Sequence, residues 1–128
     1  MFSDDDPGLA RLREICLALP GVEEKVSHGR PTFRAGKIFA VFGGSEKVRP
    51  GEHRMVPCAL IFTPDEVDLP ALDADERFFV PAYYGPSGAR ALDLAAPDVD
   101  WEEVAELVDA SYRRVAPRRL VAELDARR

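Results

Sequence analysis

Between residues 22 and 63 the chain consists of short runs rich in Val, Ile and Phe, and Gly or Pro separates each run from the next. β-Branched and aromatic residues between such breaks are typical of antiparallel strands joined by tight turns. The runs predict strands near residues 22–27, 31–35, 37–42 and 55–62. The third run is apolar on both faces after its first residue, which predicts either a central strand covered on both sides or a partner surface.

Segments with helical periodicity flank this meander. Before it, Asp6 followed by Pro7 is typical of a helix start. The apolar stripe of that helix consists of Leu9, Leu12, Ile15, Cys16 and Leu19. After the meander, Asp100 is placed to cap a long helix, whose apolar face consists of Trp101, Val104, Ala105, Val108, Tyr112 and Val115. Pro117 ends or kinks that helix, and apolar residues at 120, 121 and 124 predict one further short helix.

The middle of the chain supplies a short helix and two more strands. Thr63 and Glu66 have the spacing of a capping box, so a helix that begins at Pro64 and runs to about Asp73 is predicted. Strands are predicted at residues 78–84 and 91–94, joined through a glycine loop at 85–88. The order of elements predicts an α+β fold of two layers, in which an N-terminal helix, a short middle helix and C-terminal helices cover an antiparallel sheet.

Length and composition agree with a single domain over residues 1–128, because a chain of this size with 46% apolar residues can bury one core. Cys16 and Cys58 belong to neither a Cys-x-x-Cys motif nor a Cys/His cluster, so we expect buried, reduced thiols. The N-terminus is acidic where a secretion signal needs positive charge, and no stretch approaches the length of a membrane span. We therefore expect a cytoplasmic protein that does not contact membranes.

One predicted hairpin breaks a rule of strand pairing. With Ala35 and Gly36 as a two-residue turn, Phe33 faces Ile38. The same register places Arg34 opposite Lys37. Like charges directly opposite each other cost up to about 1 kcal/mol. Such a conflict points either to a function at the tip or to a tip so well solvated that the repulsion is small.

Charge is unevenly distributed along the chain, whose net charge is −6. Residues 25–54 contain seven Lys or Arg and two Glu, a charge of +5, whereas residues 55–111 contain thirteen Asp or Glu and two Arg, a charge of −11. Further arginines stand near the C-terminus at positions 113, 114, 118 and 119. Basic residues on one surface are typical of an anion or nucleic-acid site. Arginines also favour the ends of helices, and acidic helices can neutralise basic strands.

No catalytic or metal-binding motif is evident in the sequence. Neither of the two histidines, His28 and His53, lies in a metal-ligand motif. Ser27 and His28 are neighbours on a strand and point to opposite faces, so they do not form a nucleophile and its base. Ser87 lacks the Gly-x-Ser-x-Gly elbow, and the acidic groups lack the spacing of an EF-hand. We expect no enzyme activity, no metal and no cofactor.

Several motifs occur in order along the chain. The first are Leu19-Pro20-Gly21-Val22-Glu23-Glu24, Ser27-His28-Gly29-Arg30-Pro31-Thr32-Phe33-Arg34 and Gly36-Lys37-Ile38-Phe39-Ala40. The later ones are Pro81-Ala82-Tyr83, Gly85, Leu92-Asp93-Leu94 and Ser111-Tyr112-Arg113-Arg114-Val115-Ala116-Pro117. Together they resemble the MmcQ/YjbR-like family. The resemblance implies a small two-layer α+β domain without a cofactor, similar to secretion-chaperone folds, and members of the family are commonly described as DNA-binding.

Two functional hypotheses account for these features. The first is a non-enzymatic nucleic-acid-binding or regulatory module with DNA as the expected partner, whose expected binding residues are Lys25, His28, Arg30, Arg34, Lys37, Arg118 and Arg119. The second is an adaptor that binds another protein or a peptide through the sheet and through Tyr83 and Tyr84. Neighbours on a strand face opposite ways, so one of these two tyrosines is expected in the core.

Overall fold

The computed structural model describes residues 2–84 and 87–127, so Gly85 and Pro86 of the predicted glycine loop lie outside the described residues. The strands are β1 (Glu23–Ser27), β2 (Arg30–Ala35), β3 (Lys37–Arg49), β4 (Glu52–Phe62), β5 (Phe78–Phe79) and β6 (Arg90–Asp93). The helices are α1 (Leu9–Leu17), α2 (Leu69–Asp73), α3 (Trp101–Val115) and α4 (Arg118–Ala126). A 3-10 turn over Glu66–Asp68 leads into α2. Within the described ranges, each helix is too short or too polar to cross a bilayer.

The six strands form one antiparallel sheet in the order β1-β2-β3-β4-β6-β5. Three helices share one buried cluster with a single face of this sheet, here called the helix face. Their contributions to the cluster include Leu9 and Cys16 of α1, Val104, Val108 and Tyr112 of α3, and Leu120 and Leu124 of α4. The prediction of a two-layer α+β fold is therefore confirmed.

The opposite face of the sheet, here called the outer face, carries a second and smaller apolar cluster. It consists of Val41, Val56, Ala59, Ile61, Ala89 and Ala91, with Phe79 and Tyr84 packed against it. Strand β3 contributes to both clusters, because Phe39, Ala40 and Phe42 lie in the helix-face core and Val41 lies in the outer one. The prediction that this strand is central and covered on both sides is confirmed. Both cysteines are free and buried, also as predicted.

The turn between β2 and β3 differs from the predicted one. Ala35 pairs with Lys37, so Gly36 alone makes the turn, at a φ of 82° that favours glycine. A β-bulge shifts the register and places Arg34 opposite Ile38. The predicted pairing of Arg34 with Lys37 is therefore wrong, and the like-charge conflict is absent from this tip.

The bulge has a second effect, on the packing of β3. Phe33 pairs with Ala40, so its predicted pairing with Ile38 is also wrong. Phe39 is the extra residue of the bulge, and for this reason Phe39 and Ala40 both reach the helix-face core although they are neighbours on a strand. The register was misjudged because one inserted residue changes the side of every following side chain.

Strand β3 continues past its predicted end at residue 42 as far as Arg49. Strand β4 begins at Glu52, three residues before its predicted start. We call residues 44–56 the arm. Glu46 forms a β-bridge with Pro81, which follows β5 at the far edge of the sheet, so the arm bends over the outer face. Consecutive glycines and a high density of charged residues weaken the strand signal of residues 44–54, which is why the sequence predicted no strand over them.

Some predicted helix ends are confirmed and others are wrong. Asp100 caps α3 as predicted, because its carboxylate accepts hydrogen bonds from two backbone N–H groups of the first turn, at 3.0 and 3.3 Å. Pro117 separates α3 from α4, also as predicted. Helix α1 begins at Leu9 after Gly8, two residues later than the predicted start. The predicted start of this helix at Asp6 and Pro7 is therefore wrong.

The capping box predicted at Thr63 is also wrong. The backbone N–H of Thr63 donates to the Ser111 hydroxyl oxygen at 2.9 Å, and the first helical residue is Glu66 rather than Pro64. A serine distant in sequence therefore replaces the local cap. The strand predicted at residues 78–84 is confirmed only for Phe78–Phe79.

Candidate nucleic-acid interface

Most arginines in the described part of the chain are neutralised by carboxylates. Arg77 contacts two of them, Asp75 at 2.7 Å and Glu103 at 2.8 Å. Arg90 lies 2.6 Å from Asp73. These side-chain hydrogen bonds hold the pKa values of Asp73 and Asp75 below their ordinary value. Carboxylate oxygens also lie 2.9–3.8 Å from Arg13, Arg49, Arg54, Arg113, Arg114 and Arg127.

A smaller set of basic side chains forms no ion pair among residues 2–84 and 87–127. It consists of Arg30, Arg34, Lys37, Lys47, Arg118 and Arg119, together with Arg11, which packs on the Trp101 ring instead. Lys25 is nearly free as well, because its 3.7 Å contact with Glu23 joins two well-exposed side chains and such pairs contribute little. These charges are available to an external anion without the displacement of an internal carboxylate.

Strands β1 and β2 carry three of these basic side chains on the outer face, namely Lys25, Arg30 and Arg34. Alternation along β2 places Arg30, Thr32 and Arg34 on one side, and the register places Lys25 directly opposite Thr32. The Arg34 Nε donates to the Thr32 hydroxyl at 3.1 Å, and that hydroxyl donates to the Lys25 carbonyl at 2.7 Å. The Arg34 side chain is thus held by a neutral partner and forms no ion pair among the described residues, although Glu23 of β1 lies directly opposite it in the register.

The turn between β2 and β3 packs against the junction of α3 and α4. A Cβ placed on Gly36 would lie 3.6 Å from both Cγ and Cδ of Pro117. Lys37 follows Gly36 directly, and Arg118 and Arg119 follow Pro117 directly. All three basic residues are exposed. The fold therefore brings together cations from the meander and from the C-terminal helix.

The predicted set is nevertheless divided along β2. Arg30 and Ala35 mark its two ends, about 16 Å apart at roughly 3.3 Å per residue. Arg30 and His28 line a cavity at the first end. We call the remaining residues the basic end: Lys25, Arg34, Lys37, Arg118 and Arg119. Sequence reasoning did not detect this division, because it depends on which end of a strand each residue occupies.

The two tyrosines of the adaptor hypothesis differ in exposure. Tyr83 is 82% exposed and has a φ of 72°, which places it in a turn rather than in a strand. Its ring stacks on His53 of the arm, with centroids 5.9 Å apart and planes 12° from parallel. Tyr84 is half-buried against the outer cluster. No sequence signal links Tyr83 to His53, because the bend of the arm creates the contact.

Comparison with known proteins supports the resemblance stated from the motifs. A family model described as YjbR matches residues 17–114. The match contains Lys25, Arg34 and Lys37 and ends before α4. No curated protein and no solved structure matches the chain. Because the family model covers most of its length, the chain belongs to the YjbR family.

Proposed function

We propose that the protein is a non-enzymatic module that binds the phosphate backbone of duplex DNA through the basic end. One observation carries the proposal: four basic side chains of the basic end form no ion pair among the described residues, whereas most other arginines are neutralised by carboxylates. The four are Arg34, Lys37, Arg118 and Arg119. Free buried thiols at Cys16 and Cys58 are compatible with a reducing compartment, so a cytoplasmic location is part of the proposal.

The chemistry of the basic end favours contacts with phosphates over contacts with bases. Guanidinium groups bind phosphate oxygens through two parallel hydrogen bonds, and Arg34, Arg118 and Arg119 supply three such groups. Stacking on single-stranded bases requires aromatic side chains at the interface. Among the described Phe, Tyr and Trp side chains, Tyr83 alone is exposed, and it lies beside the arm. Duplex binding with little sequence preference is therefore expected.

The acidic remainder of the protein restricts binding to this one end. Residues 55–111 carry −11, and most of this charge lies on helices and loops away from the meander. Like-charge repulsion between these residues and DNA opposes other orientations. The same net negative charge lowers the overall affinity, so binding is expected to be strongest at low salt.

Titration of a short labelled DNA duplex at two salt concentrations tests the proposal. With about four phosphate contacts, affinity should fall on the order of 100-fold between about 50 and about 200 mM salt. Absence of binding at low salt, or an affinity that salt does not change, would reject the proposal.

Two lysines of β3 offer a matched pair of variants. Lys37 and Lys47 are both exposed, both lack an ion pair among the described residues, and lie towards opposite ends of the strand. Lys37→Glu should weaken DNA binding at least about tenfold and reduce the salt slope by about one contact. Lys47→Glu makes the same change in net charge and should leave binding near the wild-type value. Equal losses in the two variants would mean that net charge, not the basic end, controls binding.

A specific observation also favours the adaptor as a second candidate. Tyr83 is 82% exposed, and three further apolar side chains are 47–65% exposed, namely Val48 and Met55 of the arm and Val80. Exposed aromatic side chains are enriched at protein contacts. Tyr83→Ala is the informative variant, because Tyr84 packs against the outer cluster and its loss would disturb folding. A protein partner that is lost with Tyr83→Ala and kept with Lys37→Glu would support the adaptor.

A further inference from the structure

A cavity of about 320 Å³ opens where the N-terminal segment meets the turn between β1 and β2. This volume is at the lower end of the range for small-molecule sites. Its polar lining consists of Asp6, His28 and Arg30. The cavity lies at the end of β2 opposite to Gly36, so it is separate from the basic end.

The two charged side chains of the cavity have opposite signs but do not pair with each other. Arg30 is half-buried and forms no ion pair or hydrogen bond in the described part of the chain. Asp6 is also half-buried, and its Oδ2 accepts a hydrogen bond of 2.9 Å from the Ser3 N–H. That bond fixes the carboxylate, and no basic side chain among residues 2–84 and 87–127 pairs with it. A positive and a negative pole therefore border the same space.

The rest of the lining is apolar. Phe2, Phe42, Met55 and Pro57 provide the walls. Met55 is 65% exposed, although it is a large apolar side chain on the arm. A ligand that carried an apolar group into the cavity would cover part of this exposed surface.

A glycine keeps the floor of the cavity open. Gly43 has a φ of 97°, and a Cβ there would lie 3.2 Å from the Pro57 carbonyl oxygen and 3.7 Å from Cγ of Arg30. The pairing of β3 with β4 is interrupted at this point, between Phe42 and Gly44. The interruption and the missing side chain together leave room beside the Arg30 stem.

We propose that this cavity binds a free α-amino acid with an apolar side chain. The carboxylate of the amino acid pairs with Arg30 and accepts a hydrogen bond from His28, its ammonium group pairs with Asp6, and its side chain contacts Met55 and Phe42. A simple anion would leave Asp6 without a partner, and a simple cation would leave Arg30 without one. A zwitterion compensates both charges, each of which costs free energy when half-buried and unpaired. The site is independent of DNA binding, because it uses the other end of β2.

Titration of the ¹⁵N-labelled full chain with L-leucine, L-methionine and L-phenylalanine tests this site. Saturable shifts are expected at the backbone amides of Gly29, Gly43 and Gly44, which line the cavity. L-Phenylalaninamide lacks the carboxylate and N-acetyl-L-phenylalanine lacks the ammonium group, so each should bind at least about tenfold more weakly than phenylalanine. If none of the three amino acids shifts these amides up to about 10 mM, or if the blocked derivatives bind equally well, the proposal is overturned.

Two variants assign the charges to their ligand groups. Arg30→Gln should weaken phenylalanine at least about tenfold and change the affinity for the amide little. Asp6→Asn keeps an oxygen acceptor for the Ser3 N–H and should weaken phenylalanine but not its N-acetyl derivative. If either variant weakens all three compounds equally, the assignment of the charges is wrong.

A third variant distinguishes amino-acid binding at the cavity from DNA binding at the basic end. Lys37→Glu should bind phenylalanine as the wild type does, because Lys37 is absent from the cavity lining. Loss of DNA binding with retained amino-acid binding would confirm that the sites are distinct. Loss of phenylalanine binding in Lys37→Glu would overturn the assignment to this cavity.

Discussion

The Tyr112 hydroxyl donates a hydrogen bond of 2.7 Å to the backbone carbonyl of Pro20, and both groups are buried. The Tyr112 ring also packs edge-on against Phe39, with centroids 5.4 Å apart. The contact ties α3 to the turn between α1 and β1. It therefore connects the first and last thirds of the chain within one core.

Tyr112→Phe should lower the free energy of unfolding by about 1–3 kcal/mol, because the Pro20 carbonyl would remain buried without a partner. Urea unfolding measures the change. Tyr83→Phe is the control, since the Tyr83 side chain is exposed and its loss of a hydroxyl should change stability by less than about 0.5 kcal/mol. Equal stability of the two variants would show that the Tyr112 bond contributes nothing.

Ser111→Ala should destabilise the protein by about 2–4 kcal/mol, more than Tyr112→Phe. The Ser111 hydroxyl donates to the Phe39 carbonyl and accepts from the Thr63 N–H, so its removal leaves two backbone groups unpaired. Thermal or urea unfolding is the measurement. Ser87→Ala removes an exposed hydroxyl that donates to the nearby Tyr84 carbonyl, and it should have little effect. A small effect at Ser111 would imply that water replaces the hydroxyl.

Alanine substitutions at Gly8 and Gly29 can be compared directly, because the two glycines differ mainly in how closely other atoms surround them. Their φ values, 87° and 75°, are similar, so alanine at either position should cost about 1–2 kcal/mol in backbone conformation. A Cβ at Gly8 would lie 2.7 Å from the Leu94 Cβ, whereas nothing lies within 4 Å at Gly29. Gly8→Ala should therefore be less stable than Gly29→Ala by about 1 kcal/mol. Equal unfolding midpoints would contradict the close approach of α1 to Leu94.

Stability should fall as the pH rises above about 9, in part because of Cys16. Burial raises the pKa of the Cys16 thiol far above its ordinary value of 9.0, and the nearby Glu24 charge adds to this effect. Below pH 9 the thiol is protonated in both states and its contribution is fully present. Above that pH the unfolded chain ionises and the native chain does not, so about 1.4 kcal/mol is lost per pH unit.

Urea unfolding between about pH 8 and about pH 10.5 measures this dependence, with Cys16→Ala as the comparison. The variant is less stable at pH 8 because it leaves a cavity, but it lacks the Cys16 component of the slope. The two stability curves should therefore approach each other as the pH rises. Parallel curves would mean that the Cys16 thiol ionises equally in both states.

Local signals in the sequence predicted the types of most elements correctly. The cap at Asp100 and the break at Pro117 are confirmed because each depends on a few neighbouring residues. The capping box at Thr63 failed for the opposite reason. Ser111 lies 48 positions away and takes the Thr63 N–H, and no local pattern contains that information.

For the candidate site, too, local sequence features were predicted correctly and long-range contacts were not. The sequence identified Lys37, Arg118 and Arg119 as basic but left open whether they share a surface, and the contact of Gly36 with Pro117 brings them together. It also grouped Arg30 with them, although Arg30 lies at the far end of β2 and lines a cavity. Basic character can be read from residue type, but neutralisation by a carboxylate depends on neighbours that only folding supplies.

Residue type and spacing were sufficient to define the α+β class, the apolar stripes of α1 and α3 and the uneven charge along the chain, because these follow from local propensity and periodicity. Long-range packing was required to set the bend of the arm, the bulged register at Arg34 and the separation of free from paired cations. The physical reason is that each of these depends on contacts between residues far apart in the chain, whose free energies are realised only when the core has formed.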